Sequence, residues 1–353
     1  MSRNIDRRTF IRSGAIAGTA MLAGCSGNGG NGDGNGNGDG NGNGDGNGNG
    51  DGNGNGDGNG GGESPPTIAL SIPSLEFTFF ARMENAFEKA IDEGLIASDS
   101  SFYDAGNTQS TQVSHIETAV SNEVDLLLIS AITAEGIISA VEEANDADIP
   151  VVAIDRNIAE GETVSYVASD NVQLGQRSTE LCLQFMEDES DADTYDVVQL
   201  EGTPGASVTN DRGEGFQNAV DANDSLNSLA SQTGEFSTQE ALSVMEDYIT
   251  EYGDDIDGVF CQNDLMALGV HQALQNSDMS VPVTGIDGTE AWVEEFSENQ
   301  YYGTIAQLPE EMVMTAIETG TAHLAGEDVE DTITVEGLKV TQENASDYLD
   351  EYF

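Results

Sequence analysis

The run Ile149-Pro150-Val151-Val152-Ala153-Ile154-Asp155-Arg156 constrains this chain more than any other stretch, because it is continuously apolar and then stops on an adjacent acid and base. Flanked by helical patterns, it reads as a strand buried on both faces of a parallel sheet, and in such sheets ligands bind beyond the carboxyl ends of the strands. Asp155 and Arg156 are therefore expected where a cleft opens. A carboxylate accepts two O–H bonds and a guanidinium donates several in a fixed plane, a pairing suited to a ligand covered in hydroxyls. From the pair alone, a surface ion pair is the plain alternative.

The surrounding chain alternates strand and helix patterns. Thr67 to Ile72 reads as a strand and Phe79 to Glu93 as a helix, with Phe80, Met83, Phe87 and Ile91 at helical spacing. A short strand near Phe102, a helix with Val113, Ile116, Ala119 and Val120, the run Leu126-Leu127-Leu128-Ile129 and a helix around Ile137, Ile138 and Val141 lead into the organising strand. Residues 164–171 read as the passage to a second lobe, where the alternation restarts. Its units are helix 171–188, strand Val197 to Leu200, a helix through Phe216 and Val220, strand Leu226 to Ala230, a helix around Leu242 and Met245, strand Gly258 to Cys261, helix Leu265 to Leu274, strand Val281 to Ile286 and a helix near Trp292. Gly303 to Gln307 then leads to the apolar stripe Met312, Ala316, Ile317 and back to the first lobe. The expectation is two doubly wound α/β lobes with right-handed crossovers and a ligand cleft that closes like a hinge.

Polar residues at the strand ends converge on that cleft. Gln262-Asn263-Asp264 follows Cys261, Asp287-Gly288-Thr289 follows Ile286, Arg212 precedes Gly213-Glu214-Gly215-Phe216, and Gln307 lies on the return passage. N-capping of the next helix suits Asn263 and Asp287 equally well when each is taken singly. Jointly, these groups exceed what capping requires. Phe79, Phe80 and Phe236 add flat apolar faces of the kind that stack on the C–H faces of a sugar ring, with core packing the alternative for Phe80.

Composition narrows the partners. With 65 acidic against 10 basic side chains in 353 residues, the chain carries a self-repelling negative field that disfavours nucleic acid and anionic membrane surfaces. Lysine occurs only at Lys89 and Lys339, while Asp and Glu are spread through every helix pattern, as expected of a protein working in concentrated salt. At the N-terminus, Arg7-Arg8-Thr9-Phe10-Ile11 and the apolar Ala15 to Leu22 stretch resemble a twin-arginine export signal, and Leu22-Ala23-Gly24-Cys25 resembles a lipobox. In that resemblance Cys25 is lipidated and becomes the first mature residue; a plain cleavage site is the alternative. Residues 27–62 are almost pure Gly-Asn-Gly-Asp, a solvated tether. Cys182 and Cys261 lack metal-ligand spacing with the scattered His115, His271 and His323, so no metal and two buried free thiols are expected, with a disulfide between them the alternative that sequence leaves open.

The runs Thr67-Ile68-Ala69-Leu70, Ile154-Asp155-Arg156, Ala168-Ser169-Asp170-Asn171, Arg212-Gly213-Glu214-Gly215-Phe216, Gln262-Asn263-Asp264-Leu265-Met266-Ala267-Leu268-Gly269, Gly285-Ile286-Asp287-Gly288-Thr289 and Thr304-Ile305-Ala306-Gln307-Leu308-Pro309 resemble, in order, the periplasmic ribose-binding protein family. That family comprises sugar-binding subunits of ABC importers and shares its fold with the ligand-binding cores of lactose-repressor-type regulators. The resemblance implies a type I periplasmic-binding-protein fold, here in a haloarchaeal-type lipoprotein version. It implies ligand contacts by Phe79, Phe80, Asp155, Arg156, Arg212, Phe236, Asn263, Asp287 and Gln307. Phe77 and Ser130 depart from it, each standing where the family has an asparagine.

The expected layout is a signal peptide with lipobox over 1–24, a tether over 25–63, a first lobe over 64–169 plus 308–336 and a second over 170–307 plus 337–353. The implied partners are a monosaccharide, a permease with its ATPase and, through the lipid, the outer face of the cell membrane. A monomer without cofactor is expected. A repressor core would need an N-terminal helix-turn-helix and a basic face. A sugar-acting enzyme would draw on paired carboxylates, but no histidine, metal triad or activated nucleophile accompanies them. A binding protein serving a signalling receptor fits the sequence as well as one serving a permease.

Overall fold

The computed structural model describes residues 64–296 and 299–353, so the expected export signal, Cys25 and the expected tether lie outside the described residues. The chain builds β1 (Ile68–Ile72), α1 (Thr78–Asp92), β2 (Ser101–Asp104), α2 (Gln109–Ser121), β3 (Leu126–Ile129), α3 (Ile138–Asp146), β4 (Val151–Ile154) and β5 (Ser165–Ala168). It continues through α4 (Asn171–Glu189), β6 (Tyr195–Glu201), α5 (Ser207–Ala222), β7 (Leu226–Thr233), α6 (Thr238–Tyr252), β8 (Gly258–Cys261), α7 (Asp264–Asn276), β9 (Val283–Asp287), α8 (Glu290–Phe296) and β10 (Tyr302–Ala306). The last elements are α9 (Pro309–Leu324), β11 (Thr332–Thr334), β12 (Leu338–Thr341) and α10 (Ala345–Tyr352).

Two six-stranded sheets result, ordered β2-β1-β3-β4-β5-β11 and β7-β6-β8-β9-β10-β12. Every pairing is parallel except that of β12 with β10. The continuous apolar runs follow from helices on both faces: along β3, Leu126 and Leu128 enter the core beneath α1 and α9, while Leu127 and Ile129 enter the core beneath α2 and α3. Edge strand β7 has one covered face at most and reads Leu-Asn-Ser-Leu-Ala-Ser-Gln-Thr, largely exposed.

Residues 165–168, read from sequence within a passage between lobes, are the fifth strand of the first sheet. The chain passes between sheets after β5, after β10 and between β11 and β12. The crossings are tied together: Val335 N–H donates to Ala168 O at 2.9 Å, and Arg177 Nη1 donates to Gly337 O at 3.1 Å.

Cys182 and Cys261 are buried, free thiols. Cys182 lies in the core with Phe260, and Cys261 points into the opposite core with Val259, so a sheet separates them and the disulfide does not form. Burial pushes the Cys182 thiol up to about 12. No helix among the described residues is long and apolar enough to cross a membrane.

Candidate functional site

In both sheets the order of the first five strands is 2-1-3-4-5, which reverses direction beside the first strand and opens a crevice at the carboxyl ends. The two crevices face one narrow cavity of about 20 Å³. Phe79, Phe80, Asp155 and Arg156 line it from the first lobe, and Arg212, Phe236, Asn263, Asp287 and Gln307 from the second lobe and its return crossing. All nine residues singled out in the sequence are thus brought together. Phe77 and Val208 complete the wall.

Asp155 and Arg156 leave the end of β4 buried, at 3% and 4% exposure, which excludes the surface ion pair. Asp155 Oδ2 accepts from Ser130 Oγ at 3.2 Å, and its backbone oxygen accepts from the Tyr166 hydroxyl at 2.8 Å. Ser130 is itself held, its carbonyl accepting from Gln112 Nε2 at 2.7 Å. Burial raises the Asp155 pKa, opposed by Arg156 and Arg212. Arg156 donates Nη1 to Ile132 O at 3.3 Å, and its Nε lies 3.8 Å from Asp155 Oδ2 with no hydrogen-bond partner. Its guanidinium is 5.5 Å from the Phe80 ring centroid and 5.4 Å from that of Phe236, within cation–π range. Burial brings the Arg156 pKa down to about 10.

The second lobe holds its groups with side-chain amides. Arg212 donates Nε to Asn171 Oδ1 at 2.8 Å and Nη1 to Gln262 O at 2.6 Å, and Nη2 stands 3.7 Å from Asp287 Oδ1. The Gln262 side chain accepts from Gly202 N–H at 2.9 Å and donates to Thr209 O at 3.1 Å, locking β6, β8 and α5 together. Asp287 Oδ1 accepts from Gln307 Nε2 at 2.9 Å, leaving Gln307 Oε1 buried without a partner. Burial pushes the Asp287 carboxyl up to about 6, against the pull of Arg212 and Gln307. Asn263 Oδ1 caps α7 through Met266 N–H at 3.0 Å, so capping and cavity lining hold together there, with the amide nitrogen left over for the cavity.

The aromatic wall is continuous across the cleft: Phe77 packs on Phe80 at 6.2 Å and on Phe236 of the other lobe at 6.4 Å between ring centroids. Phe80 serves both readings, being 2% exposed, part of the core and a lining residue. Gly202 lets the Phe236 ring lie against β6, since a Cβ there would fall inside that ring. Asp155, Phe236 and Asp287 adopt φ of 61°, 58° and 121°, a region that costs non-glycine residues roughly 1–3 kcal/mol each and persists where neighbours over-determine it.

Val208 escaped the sequence reading because a valine in a helical pattern carries no chemical signal. Its one clue is the four-residue spacing to Arg212, which puts both on one helix face. The four arginines among the described residues all lie at the cleft or its crossings: Arg156 and Arg212 in the cavity, Arg177 on the third crossing, and Arg82 bonded to Glu310 at 2.6 and 2.7 Å, beside the second. The Arg82 guanidinium also lies 4.8 Å from the ring of Phe353. Among the described residues, no group of three or more His, Cys, Asp or Glu is placed to hold a metal ion.

The model of the family described as periplasmic binding protein domain matches residues 68–328. The chain is 35% identical over 277 residues to the ribose import binding protein RbsB of Haemophilus influenzae, covering 78% of this chain and 91% of that one. It is 36% identical over 269 residues to RbsB of Bacillus subtilis, covering 76% and 85%. The chain belongs to the periplasmic binding protein family that includes the ribose import binding proteins. Among solved periplasmic binding proteins, the component of the arabinose ABC transporter from Shewanella, bound to L-arabinofuranose, superposes with a TM-score of 0.74 at 25% identity, covering 81% of this chain and 95% of that one. An ABC transporter solute binding protein from Bacillus halodurans with bound myo-inositol gives 0.74 at 26% identity, covering 83% and 100%. Two α/β lobes with largely parallel sheets frame the cleft, the type I periplasmic-binding-protein fold of these solved structures.

Proposed function

We propose that this protein is the substrate-binding lipoprotein of an ABC sugar importer, held outside the cell membrane by a lipid on Cys25 after twin-arginine export, and that it binds a monosaccharide by closure of the cleft. One observation carries the reading. A buried cavity between two lobes combines two carboxylates, two guanidiniums and two amides with aromatic rings on both sides, and Arg156 Nε and Gln307 Oε1 in it lack partners that hydroxyls would supply. Hydrogen bonds to charged groups contribute about 1.5–3 kcal/mol each, so an uncharged polyol that satisfies several of them is held well. The sugar ring lies between Phe79 or Phe80 and Phe236, with its hydroxyls on Asp155, Arg156, Arg212, Asn263, Asp287 and Gln307.

A pentose, ribose first, is favoured over a hexose. Phe77 and Ser130 stand at the first-lobe side, where Phe77 gives ring surface in place of an amide and the Ser130 hydroxyl is turned to Asp155. The ribose import binding relatives point the same way. Calorimetric titration of the purified protein in high salt against pentoses and hexoses tests the reading. Ribose binding tighter than any hexose is expected, a hexose binding tenfold tighter than every pentose overturns the ligand, and no sugar binding overturns the class. For the anchor, Cys25→Ser is expected to release a folded, ligand-competent protein into the medium; full membrane retention of that variant overturns it. Delivery to a signalling receptor uses the same cleft, and uptake of labelled ribose in a strain lacking the protein separates the two roles.

A further inference from the structure

A charged group of the second lobe, Arg212, is tied to the first crossing between sheets by a side chain that lies outside the cavity wall. Asn171, the first residue of α4 and 3% exposed, accepts from Arg212 Nε at 2.8 Å and donates Nδ2 to Ser169 O at 3.1 Å, the backbone of the crossing itself. Tyr166, on β5 of the first lobe, donates its hydroxyl to Asp155 O at 2.8 Å. A guanidinium is planar, so two bonds, from Nε to Asn171 and from Nη1 to Gln262 O, fix the direction in which Nη2 points. Sequence pattern explains how α5 comes near enough for this. Gly175 on α4 and Gly215 on α5 face each other's helices, and a Cβ at either would overlap the backbone of the other.

We infer that Asn171 is a positioning residue for the ligand: it sets the plane of Arg212 and, through Ser169, the residue that follows β5, ties that plane to the crossing and to the strand whose Tyr166 holds the Asp155 backbone. The sugar-binding guanidinium of one lobe and the carboxylate of the other then come into register in one interlobe setting. The inference rests on the reading of Arg212 and Asp155 as ligand groups. It makes Asn171 act on affinity through Arg212 without touching the sugar.

A double-mutant cycle on the full-length protein, read by calorimetric titration with D-ribose in high salt, tests it. Asn171→Leu is expected to weaken ribose binding about tenfold in the wild-type background and less than about twofold in the Arg212→Ala background. Asn171→Asp, which keeps the acceptor for Nε but cannot donate to Ser169 O, is expected to bind ribose more tightly than Asn171→Leu and more weakly than wild type, and binding no tighter than Asn171→Leu overturns the part given to Nε. Should Asn171→Leu not fold, Asn171→Ser, whose hydroxyl is too short to reach Nε, takes its place in the cycle. An equal loss from the Asn171 variant in both backgrounds overturns the inference, as does no loss in the wild-type background while Arg212→Ala weakens binding. If Arg212→Ala itself leaves ribose affinity unchanged, the assignment of Arg212 to the ligand fails, and the role of Asn171 falls with it.

Discussion

The two lobes repeat one strand order, yet they present different halves of the cavity. The second lobe grips its charged groups with bonds of its own: Arg212 by the Asn171 side chain and the Gln262 backbone carbonyl, Asp287 by Gln307, and the Gln262 side chain by two backbone groups. The first lobe offers three phenylalanines and the Asp155-Arg156 pair, in which Arg156 has one backbone acceptor at 3.3 Å and otherwise rests between rings. A group already held by its own lobe loses little freedom when a ligand arrives, whereas a long side chain held by one bond has more to lose. The difference teaches that a repeated fold need not mean a repeated task. The second lobe presents a polar seat held by its own bonds and the first an aromatic face.

The largest effect that would sharpen this contrast belongs to the seat. Arg212→Ala should weaken sugar binding by about a hundredfold, because it removes ligand bonds and leaves Asp287 buried without its cation. Arg156→Ala should cost about tenfold in the same titration, since its attraction to two rings and one carbonyl is the weaker hold. If the two losses come out equal or reversed, the contrast between the lobes is wrong. The exposed Asp193, in an acidic loop, should tolerate alanine without change in affinity.

Proton linkage gives a further test confined to the second lobe. Asp287 is raised by burial to about 6, above its unfolded value near 4. The stabilisation from its neutral form is therefore fully present below pH 4 or so and is lost as pH rises through about 6. Asp287→Asn, neutral at every pH, should raise the thermal midpoint relative to wild type at pH 7 and lose that advantage by about pH 4. A difference that does not vary with pH contradicts the assignment. The smallest loss expected of a cavity residue sits in the first lobe: Phe77→Ala removes ring contacts with Phe80 and Phe236 and should weaken ribose binding about threefold.

Much of this was legible because parallel strands covered on both faces must be continuously apolar. Leu126 to Ile129 and Val151 to Ile154 announced themselves, and the residues after such strands pointed to the cleft. Strands β11 and β12 were not legible, since three or four mixed residues at a sheet margin, largely exposed, carry no period. Asp155, Asp287 and Arg212 could be read from position and chemistry together. Asn171 and Gln262 could be read as polar residues but not as holders of Arg212, because the bonds that define them join positions 41 and 50 residues apart. The positive φ of Phe236 left no trace either, for no glycine marks it and the strain is sustained by packing from distant segments.

The distribution of arginine has a practical consequence for proteins of this kind. Where nearly all the charges are carboxylates, a guanidinium is conspicuous in a way it never is in an ordinary chain. Here each one after the N-terminal segment marks either the pocket or a place where the chain passes between sheets. In another acid-coated chain of this fold, the few arginines could serve as landmarks from which the cavity and the pivots are located before any coordinates exist.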